Sequence, residues 1–357
     1  MNEMQLLRSA DPAAGTVPTG SRAELLRAIR QDSAASDQAR PPLVGYDASA
    51  DNPSVGRMRR QMWAAVAVVA ALVAGSVTWQ VLGVGRPGGA STAAAAVLTQ
   101  AADAAIGARD PALRPNEYLQ ITTKAVYLVT SQAAGQLPLS WLNQTTSHEW
   151  IPGDPSRDWV QRREAGIPYK FFNAGDQARV AAEGQLAAPG APELLRAHNG
   201  AFYGNTPGNW QAPTLSFLAE LPRDPQQLLQ RIYRDSKGEG QSKDGEALVF
   251  IADLVRCGFV PGDLRAALFR AATYIPGVNV TDKQANLDGR VGTAIGRDEG
   301  NTTRQELIFD PPTGQIIGER VITLDGSGTG IPSGETIEFT AVTTTVVNTL
   351  PTSALHP

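Results

Sequence analysis

From Gln61 to Gly85 the chain carries no charged residue, and its centre, Trp63–Val84 (WAAVAVVAALVAGSVTWQVLGV), is mostly apolar. A helix rises about 1.5 Å per residue, so about 20 residues cross a hydrocarbon layer roughly 30 Å thick. Trp63–Val84 covers that distance with room for tilt, and Trp63 and Trp79 lie near its two ends, where indole rings prefer the interface. Gly75 and Ser76 are small enough for close helix approach, but no GxxxG pair supports dimerisation. Two other readings compete. A buried core helix would carry polar positions at helical period, and none occur in the run. A signal peptide would begin near residue 1 and end at a small-residue cleavage site, which Ala90-Ser91-Thr92-Ala93 imitates. The expectation is a single transmembrane helix over residues 61–85, placed in the lipid bilayer.

Sidedness follows from the flanks. Arg57, Arg59 and Arg60 precede the run, while Arg86 alone follows at once, and positive residues stay on the cytoplasmic side. Residues 1–60 are expected inside, with 8 basic and 7 acidic residues; residues 86–357 are expected outside, with 23 and 28. The whole chain has net charge −4, so no basic surplus exists to neutralise phosphates, and nucleic-acid binding is not expected. Three histidines (His148, His198, His356) and one cysteine (Cys257) exclude a thiolate zinc site and a disulfide within the chain. Cys257 reads as a buried inert thiol, with intermolecular pairing as the competing reading.

The expected cytoplasmic segment, residues 1–60, holds two short amphipathic stretches, Met1–Ser9 and Ser21–Gln31. The second has Ser21 followed by Glu24 at the capping-box position, and Leu25, Leu26 and Ile29 along one face. Pro12, Pro18, Pro41, Pro42 and Pro53 break the remainder. Either the segment docks a helix onto a cytoplasmic regulator, or it is a spacer with incidental helicity.

The expected extracytoplasmic portion, 86–357, alternates between strand and helix signals. Ser91–Ile106 predicts an alanine-rich helix; Glu117–Thr130, Thr145–Trp150 and Asp158–Glu164 predict strands; residues 173–215 predict loop or insertion. Helices are expected from Pro222 through Tyr233 with Asp224 as cap and Pro225 first, over Gly245–Arg256, and over Pro261–Tyr274 with Asp263 as cap. Strands return at Val278–Thr281, Arg290–Ile295, Arg304–Phe309, Ile316–Leu324 and Ile337–Asn348. Turns are explicit at Leu287-Asp288-Gly289-Arg290 and Asp310-Pro311-Pro312-Thr313-Gly314. The fold class is therefore α+β: a single transmembrane helix, then an antiparallel sheet with inserted helices and one polar face.

An MNEMQLLR start, a short inside segment, an anchor, AAAVLTQAADAA and EYLQITT, followed later by LFRAATYIPGVNVTDKQANLDGRVGTAIGR and ELIFDPPTGQIIGER, resemble an actinobacterial family of single-pass membrane proteins with no assigned activity. In element order the outer portion is also similar to the curved-sheet domains of lipoprotein carriers and of periplasmic regulators of sigma-factor signalling. That resemblance implies a curved sheet whose concave face holds helices or an acyl chain.

Catalytic patterns are sparse. No G-x-S-x-G occurs; His148 beside Glu149, and His198 near Asn199, read as satisfied strand or surface histidines rather than bases. Asp282, Asp288, Asp298 and Glu299 offer oxygens without a recognised calcium loop. Gly326–Gly330 (GSGTG) lacks the lysine and following helix of a phosphate cradle. Sequons at Asn143, Asn279 and Asn301 read as chance. No catalytic, cofactor-binding or metal-ligating residue is assigned, and no cofactor is expected. Trp141, Trp150, Trp159 and Trp210, with Phe171, Phe172 and Tyr203, either fill the core or line an apolar groove for a lipid or peptide. The functional expectation is a non-enzymatic, membrane-anchored binding or sensing protein coupled to sigma-factor regulation. Its partners would be a cytoplasmic regulator at residues 1–60 and an apolar ligand or envelope protein outside. The alternative is an envelope lipid or lipoprotein handling protein.

Overall fold

The strands dominate the architecture. The computed structural model describes residues 88–354 apart from 109, 132–138, 183, 185, 187–189, 205–207, 311–312 and 326–329. The expected cytoplasmic segment and the uncharged run at 61–85 lie outside the described residues, and among those described no helix is long and apolar enough to cross a membrane. In chain order the elements are α1 (Thr92–Gly107), β1 (Tyr118–Ser131), β2 (Leu139–Pro152), β3 (Trp159–Arg163), β4 (Ile167–Phe171), α2 (Asp176–Ala182) and β5 (Glu193–Ala197). Then come α3 (Leu215–Glu220), α4 (Pro225–Asp235), α5 (Lys243–Val255), α6 (Gly262–Ala272), β6 (Asn279–Leu287), β7 (Arg290–Glu299), β8 (Thr303–Phe309), β9 (Ile316–Thr323) and β10 (Thr336–Val347). The strands form one curved antiparallel sheet, ordered β5-β3-β2-β1-β10-β9-β8-β7-β6, with β4 paired to β2 off that path. The α+β expectation holds for this part of the chain.

Local chemistry starts and stops the elements. Ser91 Oγ accepts the Ala94 N–H to open α1, and Asp224 accepts from Gln226 and Gln227 ahead of Pro225 to open α4. At α6 the expected cap, Asp263, is displaced: the capping position is Pro261, which has no side-chain acceptor, and Asp110 Oδ2 takes the Gly262 N–H at 2.8 Å instead. Asp263, inside the first turn, binds the Leu264 N–H and pairs with Arg223. The β6–β7 hairpin turns through Asp288 (φ 51°) and Gly289 (φ 82°), the pair of positive φ angles that a two-residue type I′ turn requires and an Asp-Gly pair supplies.

Several segments depart from expectation, among them strand β4 and helix α3, for which the sequence offered no signal. Residues 173–215 contain α2, β5 and two short 3₁₀ turns rather than plain loop. β2 begins at Leu139 rather than Thr145, and β6 runs to Leu287 rather than Thr281. Each extension is held by ladder hydrogen bonds to a neighbour, so side-chain alternation gives little sign of it.

Alternation along β8 assigns the two faces of the sheet. Leu307 and Phe309 join the main core with α1, α3, α4, α5 and α6; Ile308 points the other way. The helix-side core includes Leu98, Leu228, Ile232, Leu248, Ile251, Leu264 and Leu268, all fully enclosed. Burial of each such side chain contributes about 1.5–3 kcal/mol before chain entropy is charged against it.

The second face is only partly polar and open, unlike that of a one-sided antiparallel sheet. Ala285 and Leu287 of β6 pack in one cluster with Phe339 and Ala341 of β10, Val126 of β1 and Leu142 of β2. In a flat sheet the β6–β7 turn would stand four to five strand spacings from β1, about 19–24 Å. Yet Lys124 Nζ of β1 meets Asp288 Oδ1 at 2.6 Å, and Arg290 Nη1 donates to the Val342 carbonyl at 2.9 Å. Two side chains cannot bridge the flat distance, so the sheet curls until the β6–β7 hairpin covers its own inner face. Bulges in the β6–β7, β8–β9 and β9–β10 pairs supply the bending.

Gly318 marks the tightest point of that curl. A Cβ there would lie 2.6 Å from Leu287 Cδ2 and closer still to the Thr340 carbonyl oxygen. Gly318→Ala is expected to lower unfolding free energy by about 1–3 kcal/mol, as overpacking does elsewhere. The denaturation midpoint of the full chain measures this, and an unchanged midpoint would mean that the inner face is looser than described.

Candidate functional site

A cluster of buried ionisable groups lies where the α5–α6 corner presses on the helix side of the sheet. Arg256 closes the end of α5. Its Nη1 donates to Glu319 Oε1 of β9 at 2.7 Å, and Nη2 lies 2.8 Å from Asp253 Oδ1 one turn back. Gln305 Nε2 of β8 satisfies the other Glu319 oxygen at 2.8 Å. Asp253 and Glu319 are both buried. Burial alone would lower the Arg256 pKa, but the two carboxylates more than offset it and hold the guanidinium charged. Burial pushes the Glu319 carboxyl up, against the pull of Arg256.

Cys257 and Glu149 complete the cluster. The Cys257 Sγ points back to the Asp253 carbonyl at 3.3 Å. Burial pushes its pKa up to about 12; Arg256 opposes the rise, and Glu149, Asp253 and Glu319 add to it. The thiol is therefore protonated at neutral pH and a poor nucleophile. Glu149 of β2 is half-buried as a residue, but its carboxyl is enclosed, and desolvation raises its pKa to about 7 although Gln161 Nε2 donates to it at 3.3 Å. A second knot ties the inner face: Arg320 Nε meets Glu306 Oε2 at 2.7 Å, with Asp282 at 3.4 Å. A third joins Arg297 to Glu299 and to Ser242 Oγ.

Neighbours in sequence separate in space. His148 and Glu149 alternate on β2, so they face opposite sides of the sheet. His148 Nδ1 lies 3.1 Å from Thr122 Oγ1, and the ring stacks on Trp150; burial lowers its pKa, which keeps it neutral at pH 7. His198 sits on the exposed rim, 3.7 Å from Asp158. Asp288 is taken by Lys124, Asp298 by Arg304, and Glu299 by Arg297, so these carboxylates do not converge. No cluster of three metal-ligating side chains occurs among the described residues. The segment 326–329 lies outside them.

The four tryptophans do not line a common groove. Trp210, Trp150, Trp159 and Trp141 belong to four separate buried clusters. Trp210 also donates its Nε1–H to Asp235 at 2.8 Å. Tyr203, by contrast, is exposed and binds Arg163 and Glu193. A surface depression of about 550 Å³ lies elsewhere, at the α4–α5 connection lined by Gln230, Tyr233, Arg234, Lys237, Ser242 and Lys243. Sequence reading passed over both this depression and the Arg256 cluster. An arginine closing α5 was visible, but Glu319, 63 residues away, was not a visible partner. No family model matches the chain, and no curated protein matches it.

Two predictions follow from the cluster. Arg256→Ala leaves Asp253 and Glu319 buried without a cation, and should cost about 3 kcal/mol in chemical denaturation, the lower end for a broken buried pair. The folded Glu149 carboxyl titrates near 7 against an ordinary value of 4.5, so ionisation penalises the folded state as pH climbs through that window. Glu149→Gln should therefore stabilise the chain at mildly alkaline pH, by at most roughly 3 kcal/mol, and change little below the ordinary carboxylate range. Thermal unfolding at both pH values measures the difference; an equal gain at both would refute the assignment.

Proposed function

We propose that the chain is a single-pass membrane protein whose α+β unit lies outside the cytoplasm and binds a protein partner rather than catalysing a reaction. The observation that carries the reading is the uncharged run Gln61–Gly85, preceded by Arg57, Arg59 and Arg60. The folded unit begins close behind it, with the Ala90 N–H already bonded to the Thr273 carbonyl. Residues 1–60 would then face the cytoplasm, with Ser21–Gln31 as the helix offered to a regulator, a sigma factor by the layout of an inside segment, an anchor and an outer domain.

Absence of catalysis is supported by the state of the reactive groups. The thiol is held protonated, His148 is neutral and packed, Asp253, Glu319 and Glu306 are engaged by arginines, and Glu149 is enclosed and accepts from Gln161. Lipid carriage, the alternative, gains less support. An acyl carrier needs an open apolar trough, whereas Phe339, Val126, Leu142 and Leu287 fill the inner face of the curl. The part of that face left open carries Thr343 and Thr345, with half-buried Thr122 and His148 beside them, and is polar.

Topology is testable by labelling introduced cysteines in intact cells with a membrane-impermeant maleimide. Thr99→Cys, exposed on α1, should react directly, and Ser33→Cys only after permeabilisation. The reverse pattern, or full release of the chain by alkaline carbonate, would overturn the proposal. Deletion of residues 1–55 should abolish signalling to the cytoplasm; retained signalling would remove the regulator from the account.

A further inference from the structure

The chain's point of arrival at the folded unit is fixed by backbone bonds. Ala90 N–H donates to the Thr273 carbonyl at 3.0 Å, and Ser91 N–H to the Val278 carbonyl at 2.8 Å. Only four residues, Arg86–Gly89, separate Gly85 from Ala90, so the five steps of chain span at most about 18 Å. From Val278 the structure leads directly to the α4–α5 depression. Arg297 Nε donates to the Pro276 carbonyl at 2.8 Å, and its Nη1 donates to Ser242 Oγ at 3.0 Å; Ser242 is part of the depression's wall. Two residues of chain and one guanidinium thus separate Ser91 from that wall, roughly 15–20 Å by residue reach. A unit of this size is roughly 50 Å across, so the depression belongs to the end of the molecule at which the chain arrives.

The charge there is uneven. Arg234, Lys237 and Lys243 are exposed, and none forms a salt bridge with a described residue. Lys243 Nζ stands 3.8 Å over the Tyr233 ring, which steers it without neutralising it. Of the nearby carboxylates, Asp235 pairs with Arg231 and the Trp210 indole, while two further acidic side chains, Asp244, which accepts from the Tyr233 hydroxyl, and Glu246, beside Gly240, are half-buried where the three cations are exposed. Glu239 also lines the depression and is the one acidic side chain in its wall.

We infer that the α4–α5 connection, through Arg234, Lys237 and Lys243, rests on the anionic phospholipid headgroups of the leaflet from which the chain emerges. This rests on the proposed membrane anchor. The short tether brings this end to the surface, the three cations complement the lipid phosphates, and the unit is thereby held in one orientation against the leaflet. Each cation brought to an anionic surface is expected to raise the population in contact about fivefold, and salt to lower it.

The test uses the full-length chain with a fluorophore on Gln230→Cys, an exposed position in the wall. Replacing the chain's single cysteine, Cys257→Ser, leaves the introduced cysteine as the reactive one. The protein is reconstituted into vesicles of phosphatidylcholine alone or with phosphatidylglycerol, each carrying a headgroup quencher. Quenching should be several-fold stronger with phosphatidylglycerol, fall on addition of salt, and collapse in the triple variant Arg234→Glu, Lys237→Glu, Lys243→Glu. Equal quenching in both lipids, or quenching that survives charge reversal, overturns the inference. Flotation after a carbonate wash separates the two claims. A chain that floats but shows no lipid-dependent quenching sinks this inference alone, and a chain that does not float sinks it together with the anchor.

Discussion

The β6–β7 hairpin can reach β1 only if the sheet bends back on itself, and most of the architecture follows from that requirement. Lys124 and Asp288 join residues 164 positions apart in the chain. Partly exposed as it is, this pair contributes at most about 1 kcal/mol. The curl is stabilised instead by the apolar filling behind it, where Leu287, Ile308, Ile317 and Phe339 exclude water. The ion pair marks register. With one face turned inward and filled, the helices pack on the other, where α1, α4, α5 and α6 share one core with β7 and β8.

The three arginine–carboxylate knots are best understood in the same terms. A buried ion pair gains Coulomb energy in a low dielectric but loses hydration of similar size, so its net stabilisation is small. What it provides is a penalty for misalignment. If β9 slipped by one residue, Glu319 would leave Arg256 and Gln305, and Arg320 would leave Glu306, each stranding a charge in apolar surroundings. On β8 and β9 these charges fix the register alongside the apolar packing.

Much of this was legible in the sequence where the determinants are local. Asp224-Pro225 specifies where α4 begins, and Asp288-Gly289 specifies a tight hairpin, because each acts through its own backbone. Alternation in Arg304–Phe309 gave β8 correctly. Local signals failed where the partner is remote. β5 (ELLRA) has no period-2 pattern and becomes a strand because β3 offers it a free edge. Asp263 looks like a helix cap from its position, yet Asp110, more than 150 residues earlier, performs that role. The tryptophans were ambiguous for a related reason: an indole in a strand reads identically whether core atoms or a ligand cover it, and here each has its own cluster.

The attachment at Ala90 and Ser91 has a mechanical consequence. Tension arriving through the residues before Gly88 would load two backbone hydrogen bonds, those to the Thr273 and Val278 carbonyls, before anything else in the fold. Both acceptors sit at the junction between α6 and β6, outside the long ladders that join β1 to β2 and β10. A pull would therefore act on the first turn of α1, where it meets α6, before it reached those ladders.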